Sequence, residues 1–316
     1  MNKRTFGYIC ILLCALIFST MEVVLKTVTG VFSPLQITSV RFFVGGLCLM
    51  PFAFSSLKKK NYRLKKKDIP FFIGMGLLCV ALSMVCYQLA VLYSPASVVA
   101  VLFSCNALFT TLFAGLILKE PLKYYHYIAL VFEVAAVLFI MDPVHQTIDR
   151  RGVIFALAAA VLFALYGVAG RRRSAELGGI TITCGSVFTG SLLLMGLILI
   201  GRIPAVSTAL NGAGLSLFAD VPLFKGIPAS ALPALAYICV VVSAGGYVTH
   251  MLAVENTSAR EAALIFFIKP MIAPLIALIV LHEEIPGNMW IGIALFLIGS
   301  AIATLPGVIS ARKKRA

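Results

Sequence analysis

Lys269 stands where a cation is least expected, inside the apolar run 259–281, with Pro270 directly after it and Pro274 one turn on. An ionised side chain at the centre of a hydrocarbon layer costs about 2.5–3.5 kcal/mol on insertion scales, so it faces a cavity or a partner. Proline removes a backbone donor and crowds the preceding turn, so this helix is expected to kink and free carbonyls beside the lysine. An ammonium at such a break can hold a carboxylate or phosphate. It can equally close an internal ion pair with a buried glutamate. Glu22 offers that carboxylate, although Lys26 lies four residues on and the spacing also suits a local salt bridge. Burial would make Glu22 a proton carrier as well.

Other polar groups share the same apolar background. Arg41 falls about six residues into its run, near the outer mouth of any central cavity, where it can snorkel, attract anions, or take a structural or gating role. Tyr247 and His250 lie one turn apart, and Tyr166 and Tyr87 occupy two further runs. These groups can line a polar cavity, and a histidine can carry a proton near neutral pH. Buried packing is the plainer role for each. Glu133 sits in the middle of a fifth run and needs a partner on a neighbouring helix or a second protomer. All eight cysteines fall inside apolar runs and none has CxxC spacing, which fits small hydrophobes in helix packing rather than a disulfide or metal framework. No cofactor or metal motif is present, and no HExxH, P-loop or nucleophile elbow marks an enzyme or an ATP-driven pump.

The elements that position these residues follow from composition. The chain has 316 residues, 61% hydrophobic and 12% charged, with a mean hydropathy of +1.03. Soluble domains carry about 25% charged residues, so this is an all-α polytopic membrane protein. The first apolar run is too long for a cleaved signal and reads as a span. Ten runs are long enough to cross a bilayer: 6–28, 35–56, 69–92, 96–118, 123–141, 152–170, 180–200, 232–254, 259–281 and 288–306. Turn signals separate them, among them Ser33-Pro34, Ser94-Pro95, Glu120-Pro121, Asp142-Pro143 and Pro286-Gly287. The long connection 201–232 reads mainly as an irregular surface loop.

The net charge of +14 is a topology signal rather than a nucleic-acid site. Lys58–Lys60, Lys65–Lys67, Arg171–Arg173, Arg260 and Arg312–Arg315 fall on one side, which the positive-inside rule assigns to the cytoplasm. Lys26, Arg150, Arg151, Arg202 and Lys225 fall on the other. Both termini are then cytoplasmic, in the cell inner membrane of a multi-pass protein, where basic loops also attract anionic lipid.

Part of the chain is written twice. Leu89–Leu130 aligns without a gap on Leu252–Ile293, matching Ala96 with Ala259, Phe103 with Phe266 and Glu120 with Glu283. Tyr87 then falls on His250, and Asn106, a polar residue able to donate or accept across a cavity, falls on Lys269. Five helices per copy is an odd number, so the second copy enters the membrane from the opposite side: ten transmembrane helices as two inverted five-helix repeats.

These residues resemble the EamA family of the drug/metabolite transporter superfamily. The resemblance rests on Ser33-Pro34 followed by Arg41, on Leu89-Ala90 through Glu120, and on Pro270 through Glu283. It covers two units, 8–141 and 152–305, with 306–316 left as a basic cytoplasmic tail. It implies a central cavity lined by helices 1–4 and 6–9, with helices 5 and 10 peripheral, and secondary transport of small metabolites, often export. The residues then point to a transporter of small polar metabolites with an anionic group, such as amino acids. Substrate would meet Lys269, Asn106, Tyr87, His250, Tyr247 and Tyr166, with Glu22 and Arg41 in coupling or gating. Proton coupling and a homodimer stay open. Two alternatives remain: a cation or drug transporter using Glu22 and the aromatics, and a lipid-handling or scaffold protein.

Overall fold

The computed structural model describes residues 3–119, 122–141, 149–224, 226–257, 259–262 and 264–313, without the side chains of 141, 259, 260 and 304–313. The conserved spacing partner Glu120, together with Pro121, Asp142-Pro143, Lys225, Lys314 and Arg315, lies outside the described residues, as do the side chains of Arg260, Arg312 and Lys313.

The described chain is helical and contains no strand. Ten long helices succeed one another: α1 (Lys3–Thr27), α2 (Pro34–Lys59), α3 (Lys66–Tyr93), α4 (Ala96–Leu118), α5 (Tyr124–Met141), α6 (Arg150–Leu177), α7 (Gly179–Gly201), α8 (Ala229–Asn256), α9 (Leu264–Val280) and α10 (Gly287–Lys313). Among the described residues seven of them, α1–α4 and α6–α8, are long and apolar enough to cross a membrane. The apolar stretches of α5, α9 and α10 are shorter. Large hydrophobics such as Leu116, Val131, Ile154 and Ile279 point outward and stay exposed, as lipid-facing side chains do.

Local chemistry sets the helix ends. Pro34 opens α2 at a position whose N–H has no helical partner. The Asp149 carboxylate accepts from the Arg151 backbone N–H at 2.9 Å and caps α6. The Arg151 guanidinium, 2.8 Å away, holds that carboxyl below the usual carboxylate range. Gly178 closes α6 at a φ of +82°, a left-handed value that glycine adopts without a Cβ clash.

α1 packs against α8 and α9, and α6 against α3 and α4. α2 packs against α7 and α8, and α7 against α3. α5 and α10 pair chiefly with each other, at the side of the bundle. Small residues allow close approach where helices cross. A Cβ on Gly190 would sit 2.5 Å from the Gly76 carbonyl oxygen, so α3 and α7 meet backbone to backbone. Hydroxyls then bond across helices: Ser83 donates to the Ala159 carbonyl at 2.8 Å, and Thr189 to that of Phe72 at 2.8 Å.

Four features depart from the sequence pattern. First, α6 runs on to Leu177, about two turns beyond 170, because nothing before Gly178 stops it; Arg171–Arg173 are therefore helical. Second, the 201–232 connection is largely ordered, with a helix over Pro204–Gly212 and 3₁₀ turns at Ser216–Phe218 and Ala229–Ala231. Pro204 starts that helix, and Ser207 hydrogen-bonds the Asp220 carboxylate to close the loop on itself. Third, α9 continues as one helix through both prolines, whereas α4 breaks at Cys105, directly before Asn106. Fourth, α3 and α8 each contain a wide π-helical stretch, Leu77–Met84 and Tyr237–Gly246. Such stretches often accompany functional sites.

A cavity with two buried cations as candidate functional site

A cavity of about 560 Å³ lies between the helices. Each wall is one face of a helix. α6 contributes Phe163, Tyr166, Gly167, Gly170, Arg171 and Ser174, at the three- and four-residue spacing of a single face. α8 contributes Ser243, Tyr247, His250, Val254 and Glu255 by the same rule. α1, α2, α3, α4, α7 and α9 complete the wall, and no described residue of α5 or α10 reaches it.

Along α2 the lining runs from Arg41 and Phe42 to Ser56 and Lys60. At 1.5 Å per residue, the fifteen-residue step from Arg41 to Ser56 makes the cavity roughly 22 Å deep. Exposed Lys60, Arg171 and Glu255 frame its mouth, at the end of the molecule rich in basic residues. That end is braced by Arg173, which bridges the buried carboxylate of Asp68 at 2.8 Å and Glu176 at 2.9 Å.

The opposite end is shut. Pro95 has no side-chain acceptor to cap α4, so the first N–H groups of that helix need one from elsewhere. Glu283, just past α9, supplies it. Its carboxylate accepts from Ala96 N at 2.7 Å, Ser97 N at 3.1 Å and Ser97 Oγ at 2.7 Å. An anion at a helix N-terminus is favoured by the helix dipole as well. Beside it, Lys26 Nζ donates to the carbonyls of Val91 and Ser94, both at 2.8 Å, which end α3.

Lys26 therefore does not pair with Glu22. Glu22, on the buried side of α1, meets Lys269 of α9 across the helix interface, Oε1 to Nζ at 2.5 Å. Both side chains are almost wholly buried, and Lys269 also faces the Phe103 ring at 5.3 Å. Lys269 lines the cavity, and Glu22 backs it from behind.

Arg41 differs in both position and partners. Its spacing puts it near a mouth; the structure puts it at the closed end of the cavity, with 0% of its surface exposed. None of its three guanidinium nitrogens has a hydrogen-bond partner among the described residues. Its neighbours are ring faces, Phe42 at 4.5 Å and Tyr87 at 6.0 Å. Tyr87 stacks edge-on against Phe103 at 4.8 Å, so this aromatic pair separates the two cations.

The remaining candidates divide. Tyr166, Tyr247, His250 and Asn106 all line the cavity. Tyr87 does not; it packs fully buried behind the wall, between Phe103 and Arg41. Asn106 spends its amide locally, donating to the Phe103 carbonyl at 2.7 Å beside the break in α4. Glu133 lies away from the cavity and receives Ser300 Oγ of α10 at 3.4 Å. Spacing missed the closure by Glu283, although Ser94-Pro95 did signal a helix start that lacked a capping side chain.

A family model described as the EamA-like transporter family matches the chain twice, over residues 5–142 and 150–305. An uncharacterized transporter of Clostridium kluyveri is 35% identical over 305 residues, covering 94% of this chain and 92% of the relative. An uncharacterized transporter of Archaeoglobus fulgidus is 22% identical over 267 residues, covering 84% and 87%. One solved crystal structure superposes with a TM-score of 0.59 over 99% of both chains, at 18% identity, which is a likeness of fold alone.

Proposed function

The chain belongs to the EamA-like transporter family, and from that premise we propose that it is a secondary transporter of small polar metabolites bearing an anionic group. Amino acids are the first class to test. It works by alternating access, as an exporter or exchanger, in the cell inner membrane with both termini cytoplasmic. The observation that carries this reading is a cavity open at one end, shut at the other, and walled by the buried cations Lys269 and Arg41.

Alternating access needs two halves that can exchange roles. The packing supports ten helices arranged as two inverted repeats of five. Exchanging α1–α5 with α6–α10 turns the α1 contacts with α8 and α9 into those of α6 with α3 and α4. It turns α2 against α8 into α7 against α3, and leaves α5 against α10 unchanged. The π-helical stretches fall in α3 and α8, which the exchange also relates.

The Glu22–Lys269 pair supplies a coupling element. A substrate carboxylate can compete with Glu22 for the Lys269 ammonium. Cation or drug transport has less support, because the carboxylate it would use is already matched to Lys269. A scaffold role gives Lys269 and Arg41 no purpose. Counterflow in proteoliposomes tests the set. Amino acids or other organic acids should exchange, and Lys269→Gln should cut exchange at least tenfold. Unchanged transport and affinity in that variant would remove Lys269 from the site. Transport of a quaternary amine but of no acid would favour the cation reading, and no counterflow of any solute would favour the scaffold.

A further inference from the structure

We infer that Arg41, rather than Lys269, is the primary anchor for the anionic group, and that the ligand is an organic monocarboxylate with an apolar body. The inference rests on the transport reading for its setting and on Arg41 for its content. A buried charge without a partner is costly, and breaking a buried pair is costly for the same reason. Lys269 has its counter-ion in Glu22. Among the described residues Arg41 has none: it is fully buried, lines the cavity, and leaves Nε, Nη1 and Nη2 without hydrogen-bond partners. The missing acceptor must come from the cavity itself.

The guanidinium narrows the ligand's chemistry. Its planar fork matches the two oxygens of a carboxylate in a bidentate pair. One uncompensated positive charge balances one negative charge. A dianionic phosphate would leave a negative charge buried in a cavity whose lining includes Phe42, Met84, Phe103 and Tyr247. Those groups are apolar or aromatic, so the rest of the ligand meets a hydrophobic wall. The 560 Å³ volume suits a small metabolite rather than a lipid.

The test uses full-length protein in phosphatidylcholine nanodiscs, which carry no anionic headgroup to occupy Arg41. The probes are 3-phenylpropionate, its neutral amide and phenyl phosphate, read by calorimetry and by thermal shift. Wild type should bind and be stabilised by the carboxylate, more weakly by the phosphate, and not by the amide. Arg41→Lys keeps the charge but loses the fork, and should weaken carboxylate binding about 10- to 100-fold. Arg41→Met should abolish it and raise the melting temperature of the ligand-free protein, because it removes an unpaired buried charge. If Arg41→Met does not fold, Arg41→Lys alone decides. Carboxylate binding as tight in Arg41→Lys as in wild type overturns the inference, as does amide binding equal to carboxylate binding or no carboxylate binding by wild type. Counterflow separates this from the broader reading. Carboxylate binding without exchange of any solute would keep the Arg41 site and reject transport. Exchange of solutes with Arg41 variants unaffected would keep transport and reject the site.

Discussion

Lys269 and Arg41 line one cavity from two different helices, yet they are different kinds of cation. Lys269 is held by Glu22 on the neighbouring helix and is electrically complete without a ligand. Arg41 lies over the Phe42 and Tyr87 rings, and among the described residues its three nitrogens have no hydrogen-bond partner. The aromatic pair Tyr87–Phe103 lies between them, so each cation is screened from the other by a π-face rather than by water. Burial alone therefore does not mark a binding group. What separates a structural cation from a ligand-seeking one is whether the protein has already supplied its counter-charge.

The largest effect should come from breaking the complete pair. Glu22→Gln leaves the Lys269 ammonium buried without an anion, and such a loss costs about 3–5 kcal/mol. The double variant Glu22→Gln with Lys269→Met should recover most of that stability, because neither charge remains. Reversible detergent unfolding measures both. A Glu22→Gln protein as stable as wild type would show that the pair is not what holds α1 to α9. The contrast with Arg41→Met, where stability is expected to rise, is one of sign as well as size.

A smaller effect is expected at the shut end, where the charge works on backbone groups instead of another ion. Glu283→Gln keeps the shape but loses the charged acceptor that Ala96 and Ser97 share. Hydrogen bonds to charged groups contribute about 1.5–3 kcal/mol. Amide hydrogen exchange at Ala96 and Ser97 should then speed up roughly tenfold or more. Exchange unchanged at both amides would mean that Glu283 does not latch α4, and that packing alone closes this end.

Much of this architecture is legible in the residues, and the exceptions share a physical cause. The apolar runs, the turn dipeptides and the polar intruders Glu22, Arg41, Asn106 and Lys269 are all visible because each is a local departure from hydrophobicity. Partnership is not local. The Lys26 spacing satisfies an i,i+4 rule within α1, yet its ammonium goes to the carbonyls that end α3, 65 and 68 residues away in sequence. The α6 extension to Leu177 was hidden because three consecutive arginines look like a loop, although straight-chain basic residues continue a helix readily. Pro270 and Pro274 lie inside a single helix, α9, while Cys105 and Asn106 give little warning of the break in α4.

That exchange of roles makes Asn106 the subtlest test of the comparison. It occupies in the first copy the place that Lys269 holds in the second. The lysine carries charge on an intact helix; the asparagine carries none and stands at a break, its amide returned to the Phe103 carbonyl. The neutral amide at this position is already matched to a backbone carbonyl. Its bond contributes about 0.5–1.5 kcal/mol. Asn106→Ala should therefore lower stability by about 1 kcal/mol, well below Glu22→Gln, while leaving carboxylate affinity within roughly threefold of wild type. A loss of affinity as large as that of Arg41→Lys would instead give Asn106 a direct contact with the ligand. It would also make the anion site a three-residue assembly of Arg41, Asn106 and Lys269 rather than the work of one unpaired guanidinium.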